Sequence, residues 1–192
     1  MASFSTIKIP GESLFKDKGS KFYGYAYRAD SVNDVEAHLK EIGSLHPKAR
    51  HVCYAYLINE ENGAYRANDD GEPSNSAGTP ILNQIRSANV AHVLVVVVRY
   101  FGGTLLGVPG LINAYKTAAK LALDESTFED DFEREILKIS FSYEQMEDVM
   151  KQVKRHNLSI INAIYQETCQ LEIELPLDDF ELHNEYFSKF NL

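Results

Sequence analysis

Three clusters of residues in the first two thirds of the chain have types and spacing suited to chemistry. Asp69, Asp70 and Glu72 place three carboxylates within four residues, in the run Arg66-Ala67-Asn68-Asp69-Asp70-Gly71-Glu72-Pro73. Such a set could hold a divalent cation through oxygen ligands or supply a general acid or base. It could equally lock a turn, because Asp side chains accept backbone N–H groups and Gly71 permits unusual dihedrals. The spacing is not that of a calcium-binding loop. Arg99-Tyr100-Phe101 sets a cation beside two aromatics, which could meet phosphate and stack a base. Arg99 could instead bridge to one of the three carboxylates, since an arginine ending a buried strand needs an acceptor. Gly102-Gly103 and Gly107-Val108-Pro109-Gly110 follow, and glycines between a strand and a helix can cradle an anion. Neither a P-loop nor a dinucleotide fingerprint is present.

Two further groups carry alternatives. His51 and Cys53 lie two apart on an expected strand and so share a face. They could form a nucleophile and base, but a buried cysteine ordinarily behaves as a small hydrophobe. Ser20-Lys21-Phe22 fits either a strand start or part of the same polar surface. The remaining histidines show no metal-ligand spacing, and neither metal nor cofactor is expected.

Positioning these residues requires alternating strands and helices. Strands are expected at 22–28, 52–59 and 64–67, with a turn at Asn62-Gly63. A helix over about 32–45 is capped by Ser31, and a short one begins at Thr79-Pro80. Val93–Val98 is apolar on both faces and reads as a central strand. Pro109 opens a helix whose inward stripe is Leu111, Tyr115, Ala118 and Ala122. The polar stretch Asp124–Asp131 reads as a link. After it the order β-α-β-β-α, with a helix from about Glu144 to Asn157, matches most of a ferredoxin-like unit without its last strand. The fold class is therefore α+β, in two domains spanning 1–125 and 132–192.

Composition agrees with a folded chain: 192 residues, 44% hydrophobic and 24% charged. No apolar run approaches the roughly 20 residues that span a membrane, and no signal-peptide core is visible, so a cytoplasmic location is expected. The net charge of −9 is uneven. Residues 1–125 hold 13 Lys and Arg against 13 Asp and Glu, whereas residues 126–192 hold 6 against 15. The acidic second part argues against nucleic acid wrapping the whole molecule but leaves room for a basic patch on the first.

The chain resembles the YigZ/IMPACT family along nearly its whole length. The resemblance rests on Ser20-Lys21-Phe22, His46–Tyr56, Asp69–Pro73 with Ala77–Pro80, and Val97–Gly103. Two departures stand out: Asn75-Ser76 where Gly-Thr is usual, and Val108-Pro109 within the second glycine turn. The resemblance implies a ribosomal protein S5 domain 2-like N-terminal α/β sandwich, also seen in domain IV of elongation factor G. It further implies a ferredoxin-like C-terminal domain similar to domain V of that factor. It suggests regulation of translation and nucleic-acid or ribosome binding, and, for eukaryotic members, control of a translation-factor kinase through its activator. The sequence thus points to a binding module without catalysis, contacting RNA, the ribosome or a translation-regulating partner. Its surface would be built from Lys21, Arg66, Asp69, Asp70, Glu72, Arg99, Tyr100, Phe101, Gly102 and Gly103. The rival is a metal-assisted hydrolase using Asp69, Asp70 and Glu72.

Overall fold

The computed structural model describes residues 3–59 and 64–190; the turn expected at Asn62-Gly63 lies outside them. The fold is α+β, in two compact units. One is Ser5–Asp130, and the other is Asp131–Leu192 with the first residues of the chain.

From the chain's start the elements run β1 (Ser3–Ile9), β2 (Gly11–Asp17), β3 (Ser20–Arg28), α1 (Val32–Leu45), β4 (His51–Asn59), β5 (Ala64–Asn68), α2 (Gly78–Ala88), β6 (Val93–Tyr100), α3 (Gly107–Asp124) and β7 (Thr127–Phe132), all in the first unit except Ser3–Phe4 and Asp131–Phe132. Five strands form one antiparallel sheet in the order β2-β3-β6-β4-β5. β6 is its middle strand, and strand alternation divides its side chains between two cores. Val93, Val95 and Val97 pack with Ile81 and Ile85 of α2 and with Ala118 and Ala122 of α3. Leu94, Val96 and Val98 pack with Val35 and Ile42 of α1. A strand buried on both faces cannot carry the polar-apolar alternation of a half-exposed one, hence its unbroken valine run.

Local chemistry sets the ends of these elements. Ser31 accepts from the Asp34 amide while the Asp34 carboxylate accepts from the Ser31 amide, a reciprocal cap that starts α1. Pro80 sits in the first turn of α2 and Pro109 in that of α3, where a missing N–H removes no helical bond. Lys18 and Gly19 both have positive φ, 44° and 80°, and make the two-residue turn of the β2–β3 hairpin.

Two readings of the sequence are corrected here. The stretch Asp124–Asp131 is not a bare link: it contains the end of α3 and most of β7, which pairs with β1 in a two-stranded ribbon. Its acidic composition misleads because a ribbon strand exposed to solvent tolerates Glu129 and Asp130, and Glu129 meets Lys8 and Arg28. β1 and β2 are absent from the sequence reading, since both interleave charged and polar residues with the few apolar ones, Ile7 and Phe15, that reach the main core.

The second unit contains β8 (Arg134–Ser142), a 3-10 turn (Tyr143–Gln145), α4 (Met146–Arg155), β9 (Ser159–Ile164), β10 (Thr168–Pro176) and α5 (Leu177–Ser188). Its antiparallel sheet has the order β8-β10-β9, the ferredoxin-like arrangement with three strands. Leu137, Ile139 and Phe141 of β8 and Cys169, Leu171, Ile173 and Leu175 of β10 bury one sheet face against Val149, Val153 and Phe187. Among the described residues no helix is long and apolar enough to cross a membrane.

Candidate functional site at the end of the central sheet

The acidic loop and the end of β6 meet. Arg99 Nη1 donates to Glu72 Oε1 at 2.6 Å, and the Tyr115 hydroxyl of α3 donates to the same oxygen at 2.8 Å. Both charged side chains are buried, with 8% and 4% exposure. Such a pair is held by mutual attraction and added hydrogen bonds, and removing either member would leave a bare charge in the interior. The Arg99 guanidinium also lies over the rings of Phe22 and Phe101, at 5.6 Å from each.

The three carboxylates have three separate tasks. Asp69 accepts from the amides of Asn75, Ala77 and Gly78, so it closes the loop and caps the start of α2 from outside the helix. Asp70 accepts from the Val52 amide at 2.6 Å, while its own carbonyl meets His51 Nδ1 at 2.8 Å. Glu72 neutralises Arg99. The locked-turn reading therefore describes this loop, and among the described residues no group of three or more His, Cys, Asp or Glu could hold a metal ion. Asn75 has φ +62°, a region that asparagine tolerates better than most side chains.

Cys53 belongs to the same buried network. Its thiol donates to the Asp69 carbonyl at 3.0 Å and lies 3.4 Å from the Tyr115 hydroxyl. Burial pushes the thiol up to about 12, with the neighbouring carboxylates adding to the effect. A thiol so strongly protonated is a packing residue rather than a nucleophile. Burial likewise raises Tyr115, keeping its hydroxyl a donor.

The glycines have structural roles. A Cβ on Gly102 would stand 1.9 Å from the Gly19 carbonyl carbon and 2.1 Å from the Ser20 nitrogen. The backbone after β6 thus lies directly on the tip of the β2–β3 hairpin, tied by the Gly102 amide donating to Ser20 Oγ. Gly103 has φ +88°, which side chains rarely adopt.

The remaining expected site residues do not join one patch. Lys21 pairs with Tyr100 across β3 and β6, so both lie on the α1 face, opposite Arg99 and Phe22. Arg66 pairs with Tyr56, which is level with Leu94. That is six residues from Tyr100, roughly 20 Å along the strand. Arg66 is therefore remote, because the acidic loop turns back toward the start of β4 after leaving β5. Phe101 is 55% exposed at the strand end.

Residues not singled out from the sequence complete this end. His46, the C-cap of α1, joins the Tyr25 hydroxyl through Nε2 at 2.7 Å and the Tyr100 hydroxyl through Nδ1 at 3.0 Å. A neutral imidazole has one N–H and one lone pair, so one hydroxyl donates to the ring and the other accepts. Burial lowers His46 from the ordinary histidine value, which favours the neutral ring. This anchor fixes the His46-Pro47-Lys48-Ala49-Arg50 segment at the rim of the sheet. The signal lay in the motif itself, yet only the tertiary pairing shows what the histidine holds.

Residues 18–123 match the Impact N-terminal domain. The chain is 32% identical to IMPACT family member YigZ of Escherichia coli strain K12, over 92% of this chain and 87% of that protein. It is 33% identical to the protein IMPACT homolog of Saccharomyces cerevisiae, over 59% of this chain and 45% of that protein. A crystal structure of a hypothetical protein superposes with a TM-score of 0.80 at 29% identity, covering 99% of this chain and 93% of that one.

Proposed function

The chain belongs to the IMPACT family, and from that membership we propose that it acts in the cytoplasm as a translation-associated binding protein, without catalysis of its own. Its role in this reading is contact with RNA, the ribosome or a translation-regulating partner. The observation that carries this reading is the division of labour at the end of the central sheet. The side chains best suited to chemistry, Asp69, Asp70, Glu72, Arg99 and Cys53, are engaged with one another or with backbone N–H and C=O groups. The outward groups are Lys21, beside a half-buried Tyr100, and, on the opposite face with Arg99, Phe101. An arrangement with a rigid interior and a cationic, aromatic rim favours recognition over bond making.

The test is co-sedimentation of the purified full chain with ribosomal particles through a sucrose cushion. Pelleting with the particles, and not in their absence, is expected. A chain that stays in the supernatant and leaves cell-free protein synthesis unchanged overturns the reading.

A further inference from the structure

We infer that the rim formed by Lys16, Lys18, Lys21, Lys48 and Arg50 around Tyr100 is a docking surface for the phosphate backbone of single-stranded RNA. The inference rests on the function proposed above and names the ligand chemistry of that surface.

Strand register brings these cations together from two distant stretches. Lys16 and Lys21 are directly opposite on β2 and β3, and Lys21 is directly opposite Tyr100 on β6. Lys18 is at the hairpin tip, which the Gly19–Gly102 contact clamps to the end of β6. Arg50 immediately precedes His51, the partner of Arg99 in the adjacent strand, and Lys48 precedes it on the segment anchored by His46. All five cations are exposed.

Like charges directly opposite on neighbouring strands repel, so the Lys16–Lys21 pairing works against the fold unless something negative is supplied. None of the five has an ion pair among the described residues. Elsewhere in the same unit Lys8, Arg28 and Lys120 each lie against a carboxylate. Asp17 is the only acid within 16–21 and 46–51, and it pairs with Ser20, which puts it on the opposite face from Lys16 and Lys21. Asp70, which accepts from the Val52 amide, is an acid near Arg50; for Lys16 and Lys21 an external phosphate would supply the counter-charge. Tyr100, half-buried among the cations, favours RNA over an acidic peptide, because unpaired bases stack on aromatic rings; Phe101 lies on the other face, against Arg99.

The experiment is fluorescence anisotropy of a fluorescein-labelled 20-nucleotide single-stranded RNA against the full chain, repeated across a salt series. For single strands the logarithmic salt slope is about −0.7 per phosphate neutralised. Replacing Lys16, Lys21 and Arg50 together by Ala is expected to weaken binding and to flatten the slope by about 2. Arginine at positions 16 and 21 should restore it, and Lys151→Ala with Lys154→Ala in the second unit should leave it unchanged. An unaltered slope in a triple variant with a wild-type melting curve overturns the inference, as does equal competition by polyglutamate of matching length. Ribosome co-sedimentation that survives the triple replacement would refute this rim while leaving the proposed function intact.

Discussion

Arg99 and Glu72 are 27 residues apart in sequence yet share a 2.6 Å ion pair from which solvent is almost excluded. Replacing either by Ala strands the other charge in the interior and should cost about 3–5 kcal/mol. Tyr115→Phe removes one hydrogen bond to a charged oxygen and should cost about 1.5–3 kcal/mol. Urea unfolding of the three variants checks both values. An unchanged midpoint for Arg99→Ala would show that the pair contributes nothing to holding the turns together.

Asp69 has three amide partners spread from Asn75 to Gly78. Asp69→Ala should destabilise the protein by about 2 kcal/mol, near the upper end for loss of a cap. Asp69→Asn, which keeps one acceptor oxygen, should cost less. Limited proteolysis should then cut the 70–77 loop faster in the alanine variant, and equal resistance would count against the capping role.

Gly102→Ala sets a methyl group against the backbone of Gly19 and Ser20, which cannot yield as a flexible side chain would. A cost of about 1–3 kcal/mol is expected. Gly103→Ala meets open space but must hold φ +88°, so its cost, about 1–2 kcal/mol, comes from backbone strain alone. Thermal melts of both compare packing with conformation. Hydrogen exchange at Lys18 and Gly19 should quicken only in Gly102→Ala.

Stability should fall as the solution is acidified from pH 7.5 toward 5.5. Burial lowers His46; burial, followed by the charge of His156, lowers His183. Each is protonated in the unfolded chain once the pH passes below about 6.5, but in the folded chain only at lower pH. Their contribution is therefore complete above that value, declines as the pH drops toward the folded value, and is gone below it. Melting temperatures of wild type, His46→Gln and His183→Gln across this range give the check. Each variant should show a shallower decline than the wild type, and parallel curves would assign the acid sensitivity to other groups.

Legibility of the fold tracked periodicity. The valine run of β6, the Ser31 cap of α1 and the alanine stripe of α3 were readable because burial on defined faces leaves a regular pattern. β1, β2 and β7 were not, since edge and ribbon strands that bury only one or two side chains are not obliged to show a regular alternation. The Arg99–carboxylate bridge was foreseeable in kind, as a buried guanidinium demands an acceptor, although which of three acids would answer required coordinates. The failure of Arg66, Lys21 and Arg99 to converge has a simple origin: β-strand parity sends adjacent residues to opposite faces, and no spacing rule reveals the pairing of distant strands. The histidine that links Tyr25 to Tyr100 was hidden for the same reason.

Each unit has a single cysteine with no solvent exposure, Cys53 in one and Cys169 in the other. An alkylating reagent can reach either sulfur only when the surrounding core opens. Mass spectrometry of the two modified peptides would therefore time the opening of the two halves independently in one unmodified wild-type sample, using reporters already built into the chain.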